Sequence, residues 1–378
     1  MSQSIAESMK DVSDTEYPDR SDLSDGTSPA HDRPLYFGLW WRFTALLTLL
    51  VVAALAGMAL GALRIPLGDL VSALAGSRDD LVTSTVLFDI RIPRTITAIL
   101  VGAALGVTGL QMQTLFRNPL ADPYVLGVSS GAGLGVAFVV LLAGTSRYAA
   151  SLTSGLGLTG DMGLIMASSA GSATVMLIVL TVGRFLHSSN TLLLLGVMIG
   201  YLVSACVTVL LAGATPELVA QYVRWGFGSY HGVTWQNLTV LGPVLLAGIL
   251  ATFLLAKWLN ALLLGDRYAQ TMGMNLHVVR GCIVLSSAVL AGCATAFCGP
   301  IGFLGIAIPH LARGFFSSSD HQVLLPGCAL IGGSLALTAD IAAGLPGDGV
   351  LPLNAVNAAF GAPVVIYILL RRQRGADT

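Results

Sequence analysis

From Val278 to Phe316 the chain is almost uniformly apolar, and Cys298-Gly299-Pro300 is what interrupts it. Wound as one helix at 1.5 Å per residue, the run would reach about 58 Å, roughly twice a hydrocarbon core of about 30 Å. The break therefore divides it into a helix near 280–297 and a short one near 303–315. Non-helical backbone at that depth is tolerated only inside protein or beside a water-filled cavity. The composition matches such a run. Hydrophobic residues make up 54% of 378 positions and charged ones only 10%, where a soluble domain carries about 25%. The mean hydropathy is +0.79.

A crossing needs about 20 apolar residues. Spans are expected near 40–62, 94–114, 124–143, 162–183, 191–213, 236–256, 280–297, 303–315, 324–344 and 352–370. The fold class is thus an all-α integral membrane protein of about ten transmembrane helices. Ten crossings put both termini on one side. Loops on that side carry ten arginines and lysines, including Arg117, Arg184, Lys257 and Arg280, against six opposite (Arg64, Arg78, Arg91, Arg94, Arg147 and Arg224). The excess marks the side of the termini as cytoplasmic. Residues 1–35 are acidic and serine-rich, which reads as a disordered cytoplasmic tail and not as a signal peptide. Residues 36–374 form a single membrane domain, and 375–378 a short C-terminal tail.

Gly102, Gly106 and Gly109 share one face of the second span, and Gly127, Gly131 and Gly135 one face of the third. Such stripes let helix backbones approach closely, and their first reading is packing. The five cysteines (Cys206, Cys282, Cys293, Cys298, Cys328) lie in or beside apolar segments without the spacing of a disulfide framework or a metal site. They read as small apolar packers.

Enzyme chemistry has no foothold. The two lysines, Lys10 and Lys257, sit in no P-loop, so this chain does not itself hydrolyse ATP. Gly127-Val128-Ser129-Ser130-Gly131 matches a serine-hydrolase elbow as a string, but it opens an apolar helix and follows no strand. Gly155-Leu156-Gly157-Leu158-Thr159-Gly160 matches a dinucleotide fingerprint, again without a strand before it, and reads as an outer loop.

The segment from Arg91 to Ala132 is distinctive. It runs Arg91-Ile92-Pro93-Arg94, a glycine-studded apolar span, then Arg117-Asn118-Pro119-Leu120-Ala121-Asp122-Pro123 and Leu126-Gly127-Val128-Ser129-Ser130-Gly131-Ala132. A polar, proline-punctuated hinge between two glycine-rich apolar segments suits two tightly packed membrane helices meeting at a turn. Two further runs stand out: Gly265-Asp266-Arg267-Tyr268-Ala269-Gln270-Thr271-Met272-Gly273, and Gly299-Pro300-Ile301-Gly302-Phe303-Leu304-Gly305 followed by Pro309-His310-Leu311-Ala312-Arg313. Together they resemble the FecCD-type permeases, membrane subunits of bacterial ABC importers for iron chelates, haem and cobalamin. The resemblance covers most of the chain and implies the type II ABC importer permease fold.

Each run then acquires an expected role. Arg91 and Arg94 are three apart on one face at the outer end of the second span, with Pro93 in its first turn. Interfacial anchoring is one use of such a pair. The resemblance implies docking of an extracytoplasmic substrate-binding protein, and two positive charges placed against the orientation bias favour it. Some members carry another outer arginine after the aspartate of the ninth span, where this chain has Gly344 following Asp340.

The stretch 259–275 reads as a short surface helix with an exposed apolar side. Its Gly265, Asp266, Ala269 and Gly273 match the family's coupling loop, which implies a separate cytoplasmic ATPase. Gly299, Pro300, His310, Arg313 and Asp340 are structural or gating candidates. His310 is expected to be a hydrogen-bonded structural residue, and Asp340 to bond neighbouring backbone or a polar side chain. Asn354 and Asn357, three apart on the tenth span, are able to bond each other or a facing helix, and the resemblance sets that span beside a central pathway between two copies.

The reading is a permease subunit in the plasma (inner) membrane, paired with a second copy or a close paralogue, a cytoplasmic ATPase and a substrate-binding protein, with no nucleic acid. ATP and Mg belong to the ATPase, and no cofactor is expected in this chain. Ferric siderophore leads as cargo, with haem and cobalamin as the other candidates. The rival is a stand-alone secondary transporter or channel, which calls for ion-coupling acids near the midplane, and Asp340 is nearly alone there.

Overall fold

The computed structural model describes residues 35–61, 65–75, 81–145, 160–186, 188–345 and 350–376. The acidic segment 1–34, Arg64, Arg78, Arg147 and most of the Gly155–Gly160 string lie outside them. Arg42–Thr378 forms one compact unit, and the contacts below belong to it.

Every element among the described residues is helical. In order they are α1 (Leu35–Ala59), α2 (Leu67–Leu74), α3 (Leu81–Thr85) continued by a π-helical stretch (Val86–Arg91), and α4 (Ile92–Phe116). A 3₁₀ turn (Pro123–Leu126) leads to α5 (Val128–Thr145), α6 (Gly160–Gly183), α7 (Ser189–Ala212), α8 (Pro216–Gly226) and α9 (Trp235–Leu254). Then come α10 (Ala256–Leu263), α11 (Asp266–Thr271), α12 (Leu276–Cys298), α13 (Leu304–Phe316), α14 (His321–Ala343) and α15 (Leu353–Ala376).

Each of the expected spans coincides with a helix. Seven helical stretches among the described residues are long and apolar enough to cross a membrane. The expected crossings near 124–143, 303–315 and 352–370 are not among those seven. The first two are short apolar helices, Val128–Leu141 and Leu304–Phe316. At 1.5 Å per residue the 13 residues of α13 rise only about 20 Å. α15 continues to Ala376, so the boundary expected after 374 falls inside a helix.

α4 is the axis of the unit. Ala98, Val101, Ala104, Leu105, Val107 and Leu110 are fully buried along it, and α14, α13, α12 and α9 pack around it. Its glycine stripe explains the closeness. A Cβ on Gly102 would strike the Gly332 carbonyl of α14, and one on Gly109 the Gly305 carbonyl of α13. A Cβ on Gly106 would lie 2.7 Å from the Cys328 carbonyl. α5 meets α6 in the same way, Gly135 against the Ala167 carbonyl and Gly131 2.5 Å from that of Gly171. The stripes are contact faces, as their spacing suggested.

Several polar groups inside the bundle find one another, which offsets the cost of burying them away from water. Gln111 of α4 is fully buried. Its Nε2 donates to Thr252 Oγ1 of α9 at 3.2 Å, and its Oε1 accepts from Ser287 Oγ of α12 at 2.7 Å. One amide thus cross-links three helices. By contrast, α6, α7 and α9 leave Leu177, Leu202, Val209 and Leu254 exposed on the outer surface, which suits lipid or a second protein chain.

Candidate functional site

Three junctions gather the residues singled out in the sequence, two at opposite ends of the bundle and one linking the broken run to the α4–α5 turn.

The first junction centres on Asp266. The expected single surface helix over 259–275 is two helices, α10 and α11, because Gly265 between them has φ +114°. That conformation, and φ +82° at Gly273, suits residues without a Cβ. Asp266 opens α11, and its carboxylate takes Arg117 Nη2 at 3.0 Å and Arg280 Nη2 at 2.7 Å. Arg117 follows α4 and Arg280 stands in the second turn of α12, so the short helix is tied to two long ones. Ala269 is fully buried on the side of α11 that faces the bundle. On the other face Leu264, Tyr268 and Met272 are exposed, the apolar side that the sequence suggested. Nearby, Asn260 of α10 accepts the His321 N–H at 2.9 Å and donates to Asp320 at 2.7 Å. Thr114 of α4 lies 2.8 Å from His321 Nε2.

At the second junction the interrupted run meets the hinge after α4. Gly299 has φ +72°, and a Cβ there would lie 2.5 Å from the Trp225 carbonyl of α8. The Tyr124 hydroxyl accepts the Ile301 N–H at 3.2 Å. His310 Nε2 donates to the Pro119 carbonyl at 2.9 Å, as expected of a structural histidine. Gln113 of α4 donates to the Ile306 carbonyl at 3.2 Å and accepts from Arg313 Nη1 at 2.6 Å. Asp122 caps the 3₁₀ turn by accepting the Tyr124 N–H at 2.8 Å. Burial raises its carboxyl to about 6 against the pull of that hydrogen bond. The short helix α13 is therefore strapped at its start and its middle to the α4–α5 turn.

Asn354 belongs to this junction too. Its Oδ1 accepts the Gly302 N–H at 2.9 Å, and its Nδ2 donates to the carbonyls of Pro300 at 2.7 Å and Gly226 at 3.1 Å. Of the two outcomes open to the pair, a bond to each other or to a facing helix, the first is absent, and Asn354 meets the second at the last carbonyl of α8. Asn357 is buried with both amide atoms unpartnered, beside an apolar cavity of about 180 Å³ lined by Phe303, Leu335 and Phe360.

The third junction corrects the expected placing of the arginine pair. Arg91 is 6% exposed and donates to the Met58 and Ala59 carbonyls, closing the last turn of α1. Arg94 Nε instead reaches Asp340 Oδ2 of α14 at 2.7 Å, with side-chain exposures of 18% and 8%. Three residues apart at the start of a helix, the two side chains part, one toward α1 and one toward α14. Asp340, expected to bond neighbouring backbone or a polar side chain, does the latter, and its partner is a guanidinium 246 positions away. Gly344 leaves open the space 3.8 Å from the Arg94 guanidinium.

In the sequence Arg117 and Asp122 stand out only as parts of a motif and Arg280 only as a loop charge, while Tyr124 is not singled out at all. Gln111 and Gln113, polar residues inside an apolar span, carried the signal for buried contacts between helices.

These junctions sit in a chain whose residues 49–371 match the model of the FecCD transport family. The vitamin B12 import system permease protein BtuC of Salmonella arizonae is 37% identical over 339 residues, 89% of this chain and 95% of that one. Its namesake in Escherichia coli O9:H4 is 39% identical over 292 residues, 76% of this chain and 84% of that one. Among solved structures, one described as an inward-facing conformation of a metal-chelate type ABC transporter superposes with a TM-score of 0.75 at 27% identity, covering 87% of this chain and 98% of the other.

Proposed function

The chain belongs to the FecCD transport family, and on that premise we propose that it is the membrane subunit of an ABC importer that moves a metal-chelate cargo across the plasma membrane. Energy comes from ATPase subunits on separate chains. The observation that carries this reading is the segment around Asp266. Its exposed Leu264, Tyr268 and Met272 form an apolar ledge, while Asp266 joins the ledge to Arg117 and Arg280. A ledge gripped from outside and tied to two helices passes its displacement to both, and the Arg117 side leads through the α4–α5 turn to α13.

The names of the relatives support the choice of cargo class. Cobalamin stands first because the BtuC proteins named above import it, and ferric siderophore and haem follow. We assign a homodimer, with Asn354 and Asn357 of α15 near the path between copies. At the opposite end the substrate-binding protein docks on the rim of Arg91 and Arg94. Arg94 is the exchangeable contact, since an acidic residue of the docking lobe competes with Asp340 for its guanidinium, while Arg91 shapes the rim through α1. The side bearing Asp266 is cytoplasmic, as the excess of basic residues favours.

Reconstitution into liposomes with an ATPase and a binding protein tests the reading through uptake of labelled cobalamin, ferric siderophore and haem. Uptake is expected only with ATP and both partners. Asp266→Ala should lower it about tenfold, a coupling free energy of ordinary size, while ATP hydrolysis persists. Uphill uptake by the chain alone would replace this reading with that of a secondary transporter.

A further inference from the structure

A cavity of about 270 Å³ lies where the end of α6, the start of α7 and the first turns of α12 converge. Arg184, His277 and Arg280 line it, Ser188 and Ser189 add hydroxyls, and among the described residues its lining contains no carboxylate. Leu180, Leu192 and Val284 supply an apolar wall. Ser188 precedes the 24-residue α7 without using its side chain as a cap, so the hydroxyl and the positive end of that helix stand at the same cavity. Beside it Phe185 is 69% exposed, with the Arg184 guanidinium 5.4 Å from its ring centroid.

We propose that this cavity binds the phosphate head group of an anionic phospholipid, with its acyl chains lying along the exposed apolar side of α6 and α7. Three basic side chains around hydroxyl donors match a phosphate, and basic cavities between helices at the membrane rim are where acidic head groups settle. A free phosphate has the same charge but no use for the apolar surface of α6, where Leu177, seven residues before Arg184 and on the same side of the helix, is exposed. The tether to acyl chains favours the lipid. The site also touches the Asp266 junction, because Arg280 holds that carboxylate at 2.7 Å while lining the cavity. Bound lipid therefore stands one side chain from the α10–α11 segment. The proposal concerns lipid binding alone and stands whatever the cargo is.

The test uses delipidated full-length protein in neutral detergent, titrated with phosphatidylglycerol, phosphatidylcholine or inorganic phosphate and followed by native mass spectrometry. Phosphatidylglycerol should be retained, with phosphatidylcholine and inorganic phosphate much weaker. Arg184→Gln, at an exposed position, should weaken retention about fivefold, as expected for one basic residue at a membrane surface. Arg184→Lys should preserve most of it. Lys257→Gln, which removes an exposed charge outside the cavity, should leave it unchanged. Equal retention of phosphatidylcholine, displacement by inorganic phosphate at equal concentration, or wild-type retention by Arg184→Gln would each overturn the proposal.

Discussion

Arg94 and Asp340 are 246 positions apart in the chain, yet Arg94 Nε and Asp340 Oδ2 meet at 2.7 Å between α4 and α14. The pair is mostly shielded, and the Arg94 Nη2 also reaches the Asp340 carbonyl at 3.3 Å. Removing one partner leaves a charge in a poor environment, which costs about 3 kcal/mol for a buried pair. Arg94→Ala and Asp340→Ala should each lower the thermal stability of the detergent-solubilised protein. Combining the two alanine substitutions should cost clearly less than the sum of the single losses. Additive losses in that cycle would mean that the pair is not coupled.

Gly109 and Gly305 let α4 and α13 touch backbone to backbone. Gly109→Ala puts a methyl group against a carbonyl that has no flexible end to move, and overpacking of this kind costs about 1–3 kcal/mol. Gly314 lies in α13 with open space at its Cβ. Gly314→Ala should stabilise by up to about 1 kcal/mol through helix propensity. Thermal unfolding of the two variants should move in opposite directions.

Asn354 and Asn357 look alike in sequence and should behave oppositely. Asn354→Ala removes three hydrogen bonds, two to the loop around Gly299 and one to the Gly226 carbonyl of α8. It should cost about 1–3 kcal/mol by stranding buried partners. Asn357→Leu replaces an amide without partners by an apolar group beside an apolar cavity, so its stability should hold or rise. Differential scanning fluorimetry of both variants decides the matter.

Asp122 makes stability depend on pH. Its carboxyl is raised by burial from 3.8 to about 6, so the folded protein keeps a proton that the unfolded chain has lost. The stabilisation is complete below about 4, falls as pH rises and is gone above about 6. Asp122→Asn still accepts the Tyr124 N–H and should flatten this part of the profile. An unchanged slope between pH 4 and 6 in melting curves would assign it to another group.

Much of the architecture was legible before any coordinates. The 39-residue, mostly apolar run from Val278 to Phe316 outreaches a bilayer, so a break at Gly299-Pro300 and a short following helix were to be expected. The glycine stripes of α4 and α5 announced close contacts because three- and four-residue spacing keeps them on one face. The positive φ at Gly265 divides what looked like one surface helix, since glycine marks where a chain is free to turn without dictating that it does.

The sequence by itself determined which segments are apolar helices and which families of residues are unusual, because hydropathy and helical periodicity are local properties. Only the tertiary structure decided partners. Arg91 turns to α1 while Arg94 turns to α14, Asp266 takes Arg117 and Arg280 together, and Asn354 grips a loop while Asn357 goes without. Each of those outcomes depends on which helices pack side by side. In an apolar interior a polar group bonds whatever the packing brings within reach, and distance along the chain does not enter.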